Sequence, residues 1–180
     1  MTHMTAPTTR PTTRPTTGPT TGPTSTFGRW QRLRTVPLGR RIFSAAVWLR
    51  APYFATVLPT VTELRAGYCA ARAPKWWGVH NHIGTFHAIA ACNLAEFAMG
   101  MLAEATVPAS HRWLPKAMTV EYLAKATTGL RAVAELDTVP SFDEPAELPV
   151  PVHIHDADGQ LVMRAVITIW VTPRPASPPR

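Results

Sequence analysis

The apolar positions of this chain fall into two rhythms, one of helical period and one of period two. From Thr85 to about Ala105 the residues are Ala, Leu, Met, Phe and Glu with no proline. Phe86, Ile89, Ala90, Leu94 and Phe97 recur there at the spacing of a helix face. The apolar coverage is broad enough that this helix is expected to be wrapped by something. A second helix is predicted over PLGRRIFSAAVWLRA, residues 37–51, with Ile42, Ala45, Ala46 and Leu49 on one face. Pro37 suits its start and Pro52 its stop. Between the two helices, residues 57–77 predict two extended segments around a turn at Arg65–Ala66–Gly67.

After Pro108 strands take over. MTVEYLAKA (118–126), a turn at Thr128–Gly129 and LRAVAEL (130–136) predict a hairpin. VPVHIHD (150–156) alternates Val150, Val152 and Ile154 against His153 and His155, and DADG (156–159) turns into a long branched strand, QLVMRAVITIWV (160–171). An α+β fold follows: an antiparallel sheet curled around the long central helix, with an extra helix before it.

Composition refines this picture. The 180 residues suffice for one domain with a proper core. No apolar run reaches the roughly 18–20 residues of a membrane span, and no secretory pattern opens the chain. Two cysteines, Cys69 and Cys92, make no disulfide framework, so a reduced, cytoplasmic setting is expected. The formal charge of +7 is unevenly placed: residues 1–50 hold eight Arg and no acid, and residues 51–180 hold ten Lys/Arg against eleven Asp/Glu. A body near −1 lacks the basic face of a nucleic-acid binder. Residues 8–24, TTRPTTRPTTGPTTGPT, repeat Thr-Thr-Arg/Gly-Pro and carry nothing to bury. The expected domains are therefore a disordered Thr/Pro tail over 1–27, one domain over 28–175, and a disordered end over 176–180.

Several short pieces carry a family resemblance. NHIGTFHAIAACNLAE (81–96) resembles the loop and helix start of PaaI-like thioesterases, which place Asn, then Gly-Thr-x-His, then an acid fifteen residues after the Asn. MTVEYLAKATTG and VHIHDADGQLVMRAVITIWV resemble the following strand and the final hairpin. APYF and NHIGTFHAIAACNLAEFAMG look most like a PaaI-related branch of uncharacterised DUF4442-type domains. The resemblance spans about residues 50–173 and implies the hotdog fold. It also implies hydrolysis of an acyl-coenzyme A thioester with no cofactor, in a homodimer or a tetramer built from dimers, without nucleic acid or membrane as partner. Two features depart from the pattern: Ala88 and Ile89 stand where many relatives have Gly-Gly, and Glu96 stands where many have Asp.

The same resemblance implies roles. The Ala88 N–H, at the positive end of the central helix, would stabilise the oxyanion. Glu96 would activate water, Asn81 would orient the reactants, and His87 would hold the loop. Gly84, Thr85 and Gly100 join the substrate-binding set. Apart from the resemblance, Trp76 and Trp77 could wall an acyl pocket, and Arg112 and Lys116 could meet the phosphates of coenzyme A, with solvated charge as their default reading. Helical geometry adds a constraint of its own. His87 and Glu96 are nine residues and half a turn out of phase, and Ala88 and Glu96 are about 12 Å apart along the axis. If both act on one thioester, Glu96 must come from a second subunit.

Plainer readings stand beside these. Asn81 could serve only to turn the loop, Glu96 could be an ordinary half-buried acid, and Trp76 and Trp77 could be packing residues. His80, His82 and His87 could suggest zinc, but no cysteine or carboxylate lies at the usual spacing. The string HNH over 80–82 is incidental. Glu121 is expected to point outward. The alternatives to a thioesterase are a non-catalytic hotdog module that binds an acyl ligand and a hotdog hydratase or dehydratase, whose His-Phe-Pro-Gly type loop is missing here.

Overall fold

A computed structural model describes residues 22–175. Most of the expected tail (1–21) and the end (176–180) lie outside the described residues; the tail's last three residues, 25–27, open the first helix. The elements are α1 (Ser25–Leu33), α2 (Gly39–Arg50), β1 (Thr60–Arg65), β2 (Tyr68–Ala73), α3 (Ala88–Thr106), β3 (His111–Tyr122), β4 (Leu130–Glu135), β5 (Ala146–His155) and β6 (Leu161–Pro173). The strands form one antiparallel sheet in the order β1-β2-β4-β5-β6-β3, with α3 packed into its inner face. The α+β architecture read from the periodicities, and the hotdog fold implied by the resemblance, are both borne out.

The core follows from small residues under a large helix. Leu94, Phe97, Met99 and Leu102 of α3 are fully buried, and the short side chains of Ala71, Ala132 and Ala134 let the helix approach β2 and β4. β5 alternates as expected, with Val150, Val152 and Ile154 buried and His153 outside. The 156–159 turn is closed by Asp156, whose Oδ1 accepts the N–H groups of Asp158 and Gln160, and by Gly159 at φ +86°. Helix α3 is long and apolar enough, by length and composition, to cross a membrane. The sequence reading missed this, and its burial within the sheet accounts for its composition.

Three local expectations change. The helix α3 starts at Ala88 rather than Thr85, and Ile89 is exposed. β3 does not form a hairpin with β4: it pairs with β6, and β4 inserts between β2 and β5. The reason is burial. Leu130, Ala132 and Ala134 need cover from the core, whereas β3 carries Pro115 and a bulge at Lys116, features that belong on an edge. In α2 the buried face is Phe43 and Ser44 with Val47 and Trp48 half-buried, and Ile42 and Leu49 are exposed. The two aromatics outweigh the aliphatic face, and Phe43 meets Trp30 of α1 edge-on at 5.3 Å between ring centroids. Helix α1, for which the sequence raised no expectation, contributes one core residue, Trp30.

The two ends of the sheet are treated differently. At β1, the edge is covered by side chains of α1 and α2. Trp30 Nε1 donates to the Leu64 carbonyl (3.0 Å), Trp48 Nε1 donates to the Pro59 carbonyl (3.0 Å), and the Val61 N–H donates to Ser44 Oγ (3.0 Å). At β3, no described element pairs with the outer edge.

Candidate functional site

The loop that leads into α3 is built around Asn81. Its Oδ1 accepts the N–H groups of Ile83 (3.1 Å) and Thr85 (3.0 Å), and its Nδ2 donates to Thr85 Oγ1 (2.7 Å). Backbone bonds close the same turn, from Asn81 N–H to the Thr85 carbonyl and from Gly84 N–H to the Asn81 carbonyl. Gly84 sits at φ +76°, a conformation that favours glycine. The motif from Asn81 through Thr85 is thus first a folding unit. Its product is the position of the residues that follow.

Those residues begin the helix. The His87 N–H donates to the Val79 carbonyl (2.7 Å), and its Nδ1 accepts the Ile89 N–H (3.0 Å). His87 is therefore the N-cap of α3, with its Nδ1 as the acceptor of the capping bond. Ala88 is the first helical residue and is exposed; its N–H has no acceptor among the described residues. It lines a cavity of about 170 Å³ together with Asn81, Thr85, Phe86, Tyr122 and Lys125. The methyl side chains at Ala88 and Ala91 leave that space open.

Glu96 lies elsewhere. It lines a separate cavity of about 280 Å³ between α3 and the N-terminal helices, walled by Phe43, Val47, Phe54, Phe97, Met101 and Trp113. Gly100 belongs there too, and a Cβ on it would come within 3.3 Å of the Trp113 ring. Within one chain, then, Asn81 and Ala88 share one cavity, and Glu96 and Gly100 share another. Ala88, Cys92 and Glu96 succeed one another at four-residue intervals, so they form one stripe of α3. That stripe is exposed at Ala88 and half-covered at Cys92 and Glu96, while most of the helix is buried.

The remaining candidates scatter. The ring of Trp76 lies over Gly78, where a Cβ would sit 2.2 Å from it, and Trp77 is 84% exposed. Neither tryptophan lines a described cavity. Arg112 donates to Thr172 (3.2 Å), and Lys116 is paired with Glu147; both stand on the outer face of β3, away from the Ala88 cavity. Glu121 points outward, paired with Arg164 at 2.9 Å. His80 and His82 are exposed, and no group of three His, Cys, Asp or Glu able to hold a metal occurs among the described residues.

Two residues at this site had no signal in the sequence. The Tyr122 hydroxyl lies 3.2 Å from Cys92 Sγ, across from the middle of the α3 stripe. That bond, with lesser contributions from burial and the neighbouring thiol charge, pushes the tyrosine pKa up to about 12. Lys125, on the segment after β3, lines the same cavity. Their strand and loop positions meet the helix only through the β3–β6 pairing.

The comparisons with known proteins agree with this architecture. Residues 39–171 match the family model described as a domain of unknown function, DUF4442, and that span is well over half of the chain. The chain belongs to the DUF4442 family. A structural-genomics protein designated APC5556 is 44% identical, with a TM-score of 0.73 over 83% of this chain and 99% of that one. A mutant form of thioesterase PA1618 from Pseudomonas aeruginosa is 17% identical, with a TM-score of 0.65 over 79% of this chain and 99% of that one. Thioesterase HI1161 from Haemophilus influenzae is 11% identical, with a TM-score of 0.60 over 67% and 82%. No curated protein matches the sequence. Identities of 17% and 11% to the two thioesterases, with these TM-scores, show a shared fold.

Proposed function

We propose that this DUF4442 protein is an acyl-thioester hydrolase that works as a homodimer, with coenzyme A as the thiol carrier and no cofactor. The Ala88 N–H of one subunit stabilises the oxyanion, and Glu96 of the other activates water. The observation that carries the reading is an exposed helix-start N–H, without an acceptor of its own, opening on a small cavity. Such a donor stabilises charge that develops on a thioester oxygen and is already in place before the reaction.

The dimer is supported by the two sheet edges. At the β1 edge the Val61 N–H and the Leu64 carbonyl, with the Pro59 carbonyl just before it, are bonded to Ser44, Trp30 and Trp48, whereas among the described residues the β3 edge is open. Beside it, Met118 and Tyr122, on the face of β3 that shares the side of buried Ile167 and Met163, are 37% and 54% exposed. With one open edge per chain, pairing closes at two copies. A second copy on this face would cover the uncovered stripe of α3 and bring its own Glu96 toward the first chain's Ala88. The shared fold with proteins named thioesterases supports the same chemistry.

A second reading rests on Asn81. Its side-chain oxygen and amide are engaged within the loop, and in one chain Ala88 and Glu96 open on different cavities. A module that binds an acyl ligand without cleaving it fits both facts. The two are separated by a panel of acyl-coenzyme A substrates assayed for free thiol, comparing wild type with Glu96→Ala and Asn81→Ala. Hydrolysis predicts turnover that falls about 100-fold or more in Glu96→Ala, the scale of a lost general base. Equal low rates in all three proteins reject it and leave the binding module.

A further inference from the structure

A further cavity of about 1000 Å³ among the described residues is not part of the site above. It lies on the outer side of the sheet, where β2, β4 and β5 end beside α2. Its polar wall is basic: Arg72 of β2, Arg131 of β4, His155 of β5 and Arg41 of α2. Strand register brings three of these side by side, since Arg72 is the direct partner of Arg131 and Arg131 is the direct partner of His155. Like charges at directly opposed positions of a sheet are destabilising. Among the described residues none of the three arginines is in an ion pair. The one carboxylate on the wall, Asp156, has an oxygen occupied by two N–H groups of its own turn. Three guanidinium groups against that single acid leave the wall at about +2, with His155 neutral. A polar atom here also lacks a partner: His155 Nδ1 is buried without a hydrogen bond. Trp48, Leu58, Pro74 and Leu130 give the wall an apolar part, and Thr60 adds a hydroxyl-bearing residue.

We infer that this cavity binds a phosphate-bearing ligand of nucleotide size, with its phosphates held by Arg41, Arg72 and Arg131 and its base against the apolar wall. Planar guanidinium groups make paired hydrogen bonds to phosphate oxygens, and an anion among them removes the repulsion along the ladder. The volume is at the upper end of that of small-molecule sites, ample for a nucleoside bisphosphate. His155 adds a hydrogen-bonding position at the cavity wall. The inference is independent of hydrolysis at Ala88, because it concerns a different cavity on the other side of the sheet.

Isothermal titration and thermal unfolding of the full chain test it, with adenosine 3′,5′-bisphosphate, ADP and pyrophosphate as probes and sodium chloride at matched ionic strength as the blank. At least one probe is expected to bind once per chain and to raise the unfolding temperature beyond the salt blank. Arg72→Gln, Arg131→Gln and Arg41→Gln are each expected to weaken that binding about tenfold or more, as loss of a charged hydrogen bond implies. Arg32→Gln, the same charge change on α1, is expected to leave it intact. Arg41, on a helix surface, and Arg72, whose removal relieves repulsion, keep the test independent of folding. Preference for the 3′,5′-bisphosphate assigns the nucleotide end of coenzyme A as the source, and equal binding of ADP assigns free nucleotides. No response beyond salt from any probe, or undiminished affinity in all three arginine variants, overturns the inference.

Discussion

The Ala88 N–H can be removed without touching a side chain that does anything else, by Ala88→Pro. Proline is favoured at the first residue of a helix, where its missing N–H would have no intrahelical acceptor. The preceding residue must avoid the helical region, and His87 already does so at φ −65°, ψ 136°. The His87 cap is untouched, because it uses the Ile89 N–H. The expected change in stability is therefore within about 1 kcal/mol. The expected loss in activity is that of one oxyanion donor, about 3 kcal/mol or 10²–10³-fold in kcat. Thermal unfolding and free-thiol release measure the two separately. Mixing this variant with Glu96→Gln then tests the geometry. A hybrid dimer has one site with both groups and one with neither, so random mixing restores about one quarter of the wild-type activity if the sites are shared. A folded Ala88→Pro protein with wild-type kcat refutes the oxyanion role, and a mixture with no recovered activity refutes the shared site.

Two further outcomes follow from the outer parts of the fold. Ser44→Ala leaves the buried Val61 N–H of the β1 edge without its acceptor and should cost about 2 kcal/mol by denaturant unfolding; a loss below about 0.5 kcal/mol would show that the edge is held by packing alone. Burial first, then the charges of His153 and Arg131, lower the pKa of His155, with Asp156 opposing them. A depressed folded value means the unfolded chain binds the proton more readily, so the contribution of neutral His155 is present above about pH 6.5 and is lost as pH falls through the folded pKa. His155→Gln should flatten the acid side of the unfolding-temperature profile. An unchanged profile in that variant would count against it.

The central helix, the alternation of β5, the turn at Gly159 and the overall class were legible in the sequence because each is written in local periodicity or in a residue that one backbone geometry demands. So was the distance along the helix axis that separates Ala88 from Glu96, since helical rise needs no tertiary input. The pairing of β3 was not legible: a strand's partner is chosen by which face and edge the whole sheet must cover, and Pro115 and Lys116 acquire edge meaning only when β6 is alongside. Nor was the buried face of α2, where two faces competed and contact with Trp30 and β1 decided.

The site divides in the same way. Sequence alone marked Asn81, His87, Ala88 and Glu96. Tertiary structure turned Asn81 into the brace of its own loop, made His87 a cap, and brought Tyr122 to Cys92 from thirty residues away. It also aligned Arg72, Arg131 and His155 across three strands, an arrangement invisible along the chain because cross-strand neighbours share no sequence spacing.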